Sequence, residues 1–209
     1  MSTAIRDVGE TLIDLLRNDP IVTIPDAQIA LLSPAEANAS GVRLTLFLYS
    51  ISPAAEYRNE LEIPGNTLDE ELDALGNRVP RAAALPLNLY YLLTAFSPPQ
   101  DPTERSLESQ LLLGQAMRVF FDNGCLTGSL LRGSLPRDQE LRLSLQPITI
   151  EDLTRVWSVF PETALQPSVS YLVTPVILRS DRRRGGARVV SRQVDADHVV
   201  PITSQDQTP

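Results

Sequence analysis

The 209-residue chain contains no lysine, one cysteine and one histidine. Each scarcity removes a class of chemistry. The single cysteine, Cys125, excludes an internal disulfide and any cysteine-based metal site, and it fits assembly in a reducing, cytoplasmic setting. The sole histidine, His198, sits in a polar stretch near the C-terminus, without the rigid support that a histidine-dependent triad requires. With lysine absent, positive charge rests on 18 arginines against 26 carboxylates, for a net charge of -8. The distribution is uneven: residues 1–178 hold 12 Arg and 22 Asp and Glu, whereas residues 179–209 hold 6 Arg and 4 Asp. An acidic body argues against nucleic acid as a partner, because phosphate binding needs a basic face. No apolar run reaches the roughly 18 residues of a membrane span, so no membrane partner is expected. The start, Met1 to Asp7, lacks the basic-then-apolar order of a signal peptide.

The motifs of phosphate cradles, dinucleotide folds and nucleophile elbows are missing as well. Carboxylates cluster at Asp69-Glu70-Glu71 with Asp73, which reads as a solvated patch, and at Glu151-Asp152, which reads as helix-start charge. Cys125 follows Gly124 at the end of a helical pattern and reads as a structural thiol. The expectation is a protein without catalytic residues, cofactor or metal.

What the sequence does have is one dominant apolar run, Leu85-Pro86-Leu87-Asn88-Leu89-Tyr90-Tyr91-Leu92-Leu93-Thr94-Ala95-Phe96. Its aromatic and β-branched content and Pro86 favour a strand over a helix. Leu87, Leu89, Tyr91, Leu93 and Ala95 would share one face, and Asn88, Tyr90, Leu92, Thr94 and Phe96 the other. Both faces are largely apolar, which places the strand in the middle of a sheet covered on both sides.

The rest of the chain is read around it. Residues 4–17 form an amphipathic helix, with Ile5, Val8, Leu12, Leu15 and Leu16 inward and Arg6, Asp7, Glu10, Asp14 and Arg17 facing water. Ile21–Ile24 reads as a short strand, Gln28–Leu32 as another, and the small polar stretch 33–41 as a loop. Val42–Ile51 alternates as a strand. Residues 54–84 read as a long connection containing at most a helical turn. Asp101, Pro102 and Glu104 are start signals for a helix over 103–121, which Asn123-Gly124 closes. Its apolar surface, widened by Leu107, Leu111 and Leu112, is too broad for one contact: it implies the sheet on one side and something further on the other. Residues 125–140 read as a loop and Leu141–Leu145 as a strand. Thr149-Ile150-Glu151-Asp152 opens a short helix that buries Trp157. Pro167–Leu178 is the last strand, with Pro175 suited to an edge or a bulge. The pattern gives an α/β (α+β) domain over residues 1–180, a central mixed sheet flanked by helices. A flexible extension over 181–209 follows, with a charged, glycine-tipped linker at Asp181–Gly186 and β-prone islands at Val189-Val190 and Val199-Val200.

The order of these pieces resembles a known family. An initial helix with Leu12-Ile13-Asp14-Leu15-Leu16 is followed by Leu44-Thr45-Leu46-Phe47-Leu48-Tyr49 and then the run 85–96. Leu113-Gly114-Gln115-Ala116-Met117-Arg118-Val119, Ile150–Ser158 and Pro167–Val176 complete it. The layout is similar to the N-terminal domain of the cap, or tail-terminator, proteins of extracellular contractile injection systems, long a domain of unknown function. It departs at Asn123-Gly124-Cys125-Leu126, where the family tends to place a proline–hydrophobic pair. The resemblance implies a structural ring, a hexameric homo-oligomer, that binds the last inner-tube ring and the last sheath ring and ends their growth. A phage-type head–tail connector or minor tail protein of the same fold is the alternative. It also implies a sheath contact through the extension, at Arg182, Arg183, Arg184, Val189, Val190, Val199 and Val200. Removal of residues 185–209 would then leave a folded chain that no longer holds the sheath end.

Overall fold

The computed structural model describes residues 3–57, 70–72, 78–80, 84–98, 101–160 and 162–179. The chain opens with α1 (Ala4–Asn18), whose buried Val8, Leu12 and Leu16 follow the expected stripe. The expected strand at Ile21–Ile24 is absent: these residues are irregular, and no described strand pairs with them. A turn of 3-10 helix at Asp26–Gln28 leads into β1 (Ile29–Ala30). The stretch expected as a loop is instead a helix, α2 (Pro34–Ser40). A capping box starts it: the backbone N–H of Ser33 donates to Glu36 Oε2 at 3.1 Å and the Ser33 hydroxyl donates to the same oxygen at 2.7 Å. Pro34 occupies its first turn and Gly41, at φ 68°, its left-handed end. The topology demands such a crossover, because β1 lies parallel to β2 (Leu44–Pro53).

Within the long connection the chain makes the expected helical turn, a turn of 3-10 helix at Ala55–Tyr57, and also a small antiparallel pair, β3 (Glu70–Leu72) with β4 (Arg78–Pro80), that no pattern announced. Next comes β5 (Ala84–Ala95) and then α3 (Pro102–Asp122). Asp101 caps α3 as expected, its carboxylate accepting from the backbone N–H of Thr103 at 2.9 Å and Glu104 at 3.1 Å. At the far end, Asn123 Nδ2 donates to the Val119 carbonyl at 2.9 Å. The segment expected as a loop contains β6 (Cys125–Leu126) and a 3-10 turn at Gly128–Leu130. β7 (Leu141–Gln146), α4 (Ile150–Trp157) and β8 (Ser168–Arg179) follow.

Among the described residues six strands make one mixed sheet in the order β1-β2-β5-β8-β7-β6, antiparallel except for the β1–β2 pair. The apolar run is β5, central as expected, with β2 on one side and β8 on the other. Its Leu87, Leu89, Tyr91, Leu93 and Ala95 pack under α1 and α3, together with Leu44, Leu46, Leu141, Leu143, Tyr171 and Val173. Phe120 of α3 meets the Tyr171 ring edge-on, the centroids 5.0 Å apart. The opposite face is covered around Leu92 by α4 and the turn after it: Phe160 stacks edge-on against both Phe47 of β2 and Trp157 of α4. Trp157 is buried, as its helical spacing required. β8 proves central, so Pro175 is not on an edge. It sits beside a bulge, where Asn88 alone faces Thr174 and Pro175, and the Thr174-Pro175 peptide is cis. Thr174 Oγ1 donates to Asn88 Oδ1 at 2.5 Å across that bulge.

Candidate interaction surfaces

Among the described residues, Asp7 and Asp152 are held in structural duties. Asp7, expected to face water, is buried and binds the loop after β6 to α1. Its Oδ2 accepts from the Ser134 backbone N–H at 2.8 Å, from the Ser134 hydroxyl at 2.6 Å and from the Thr3 hydroxyl at 2.6 Å. Burial pushes the Asp7 carboxyl up, but the Ser134 and Thr3 hydrogen bonds outweigh it and hold the group below the ordinary carboxylate value. One turn along, Thr11 accepts from the Arg132 backbone N–H at 3.0 Å, and Arg132 pairs with Asp14 at 2.8 Å. Gly133 must be glycine here: its φ is +60°, and a Cβ would lie 2.3 Å from Asp7 Cγ. No periodicity marks this latch, because its partners are 127 residues apart and only Asp7 belongs to a patterned element.

Cys125 is exposed, and partial burial with the nearby Glu140 carboxylate pushes its thiol up, the reverse of nucleophile activation. Asp152 is occupied at the start of α4, accepting from the Thr149 hydroxyl at 2.9 Å and from Arg155 at 3.2 Å. Among the described residues no group of three or more His, Cys, Asp and Glu is placed to hold a metal ion. His198, Asp69, Asp73, Gly185, Gly186 and the whole predicted sheath contact (Arg182, Arg183, Arg184, Val189, Val190, Val199 and Val200) lie outside the described residues. No helix among those described is long and apolar enough to cross a membrane.

What remains are surfaces. On α3, Leu107, Leu111, Gly114, Arg118 and Phe121 fall within about 80° of one another at 100° per residue. Leu107, Leu111 and Phe121 are 61%, 62% and 85% exposed, whereas Leu112, Ala116, Val119 and Phe120 face the core. A Cβ at Gly114 would meet nothing within 4 Å, so packing inside the chain does not require glycine there. Such a glycine costs a helix interior about 1 kcal/mol relative to alanine. The sequence anticipated a second contact for this helix; among the described residues its outer strip is bare. A second surface is the outer edge of β2. β1 pairs only with Leu44 and Thr45, and among the described residues nothing pairs with that edge from Leu46 to Pro53. Beside it lies a groove of about 560 Å³ lined by Ile5 and Gly9 of α1, Leu31, and Leu46, Leu48 and Tyr91 of the sheet.

The family described as the Pvc16 N-terminal domain matches residues 7–192. Two solved structures share the fold. One is the sheath/tube terminator of an extracellular contractile injection system in its extended state, with a TM-score of 0.54 at 18% identity. The alignment covers 94% of this chain and 65% of that one. The other is the tube-terminating cap of the anti-feeding prophage, with a TM-score of 0.51 at 16% identity, covering 90% of this chain and 61% of the cap. The chain therefore spans somewhat under two thirds of either terminator. No curated protein matches it.

Proposed function

The chain belongs to the Pvc16 N-terminal domain family, and from that premise we propose that it is the structural cap of a contractile, phage tail-like injection particle. Six copies form a ring at the end of the particle away from the baseplate. The ring binds the last inner-tube ring and the last sheath ring and stops both from growing. The observation that carries this reading is the family match from residue 7 to residue 192, supported by a fold shared with two terminators.

Capping is a task of surfaces, not of bond chemistry, and the protein is not an enzyme. A ring that ends a polymer offers on one face what a tube ring offers its neighbour, and lacks that complementarity on the other. The outer strip of α3 suits a contact between subunits, since apolar side chains flank a glycine that admits close approach. The segment after Arg179 holds the sheath, with Arg182, Arg183 and Arg184 supplying charge and Val199-Val200 supplying strand-forming residues. Assembly takes place in the cytoplasm.

Electron microscopy of particles assembled with and without this protein tests the reading. Tubes and sheaths of uncontrolled length, or ragged uncapped ends, are expected in its absence. Uniform, capped particles lacking the protein would overturn it.

A further inference from the structure

We infer that the open edge of β2 is the docking site of this chain's own residues 187–193, which add to it as an antiparallel strand. The edge needs a cover. Leu46-Phe47-Leu48-Tyr49-Ser50-Ile51-Ser52 carries no charge and no proline, and β1 leaves all seven residues unpaired on their outer side among the described residues. An uncharged, strand-forming edge of this length invites pairing with any other chain, and stable proteins blunt such edges or cover them. The only device on β2 itself is the irregularity between Leu48 and Ser50, and Ile51 beyond it is 46% exposed.

The sheet topology delivers the cover. β8 ends at Arg179, opposite Ala84 of β5, while Pro53 of β2 stands opposite Leu87 of the same strand. The chain thus leaves the sheet at the Pro53 end of β2, two strands away from the open edge. Crossing β5 and β2 to lie outside takes three strand spacings, about 14 Å. Residues 180–186 span up to about 23 Å when extended, so they reach with slack for a turn. That turn has its glycines, Gly185-Gly186. Because β8 and β2 both run antiparallel to β5, a chain that turns back from Arg179 runs antiparallel to β2.

The segment matches the site chemically. In a strand Val189 and Val190 project to opposite faces. β2 is apolar on both, with Leu46 and Leu48 toward α1 and Phe47 toward Phe160. The groove between α1 and β2 is lined by Ile5, Leu31 and Tyr91, with the charged Arg6, Glu10 and Glu36 also on its walls. The segment also brings Arg188 and Arg192 to an acidic body. The family match runs past the end of β8 to residue 192, so it takes in all but the last residue of this strand and stops before Val199-Val200. The first β-prone island then belongs to the domain, and the second is left to reach the sheath.

The test is amide hydrogen exchange, read residue by residue by NMR on the full-length chain at concentrations where it is monomeric. It compares the unaltered protein with the variant carrying Val189→Pro and Val190→Pro. The outward-facing amides of residues 46–52 are expected to exchange at least tenfold faster in the variant, with the amides of β5 unchanged. Equal rates in both proteins would overturn the inference. So would protection that fades on dilution in step with the loss of dimers, because the strand would then come from a second copy. Neither ring nor sheath enters the measurement, so it stands or falls separately from the cap reading.

Discussion

Asp7 concentrates in one carboxylate a contact that spans most of the chain. Three hydrogen bonds converge on its Oδ2 while the side chain is buried, and the group sits in the first turn of α1, where negative charge is favoured. Asp7→Asn leaves a donor where the site offers donors, and it is expected to cost roughly 1–3 kcal/mol at pH 7. Because the carboxyl is held below its ordinary value in the folded protein, its contribution is present in full above an unfolded value of about 4. That contribution is lost as pH falls through the folded value. Urea unfolding at pH 7 and at pH 3 therefore checks the cause: the gap between the two proteins should shrink in acid. A gap of the same size at both pH values would mean that shape, not charge, makes the contact.

The elements differ in how openly they declare themselves. α1, β5 and α4 carry their burial pattern in their spacing. Among its described residues α2 buries only Pro34 and Ala37, too small a face to show as a period, and its Ser33-Pro34 start and Glu36 are what betray it. β1 and β6, two residues each, exist only because a longer strand offers them an edge. On α3 the two sides predict opposite outcomes. Leu107→Ser, Leu111→Ser and Phe121→Ser, made together, are expected to change stability by no more than about 0.5 kcal/mol per site, since all three are mainly exposed. The same variant should fail to form rings, as measured by light scattering after size exclusion. Rings of normal size from this variant would assign the strip to another contact. Phe120→Ala, one residue away on the core side, should instead lose about 3–5 kcal/mol.

For the whole molecule the division of the C-terminal segment yields a further test. Deletion of residues 194–209 keeps the strand proposed for β2 and removes Val199-Val200. The shortened protein should unfold at the same temperature as the full chain and keep its β2 amides protected. In particle assembly it should join the tube end without anchoring the sheath, which electron microscopy would reveal as sheaths loosened from a capped tube. Sheaths held normally by the shortened protein would move the anchor to residues before 194.

The sequence alone determined the fold class, the central strand, the two long helices and the lack of an evident catalytic motif, because periodicity and composition are local properties that survive without knowledge of neighbours. It also carried the family resemblance, which lies in the order of patterned segments. Tertiary structure alone decided which expected surface residues were buried, as with Asp7, and which apolar residues were left bare, as with Leu107, Leu111 and Phe121. It also decided that β2 stands nearly at the sheet edge, with most of its outer side open among the described residues. These outcomes depend on what lies across from a residue in space, and pairing partners a hundred residues apart leave no period in the chain that folds them together.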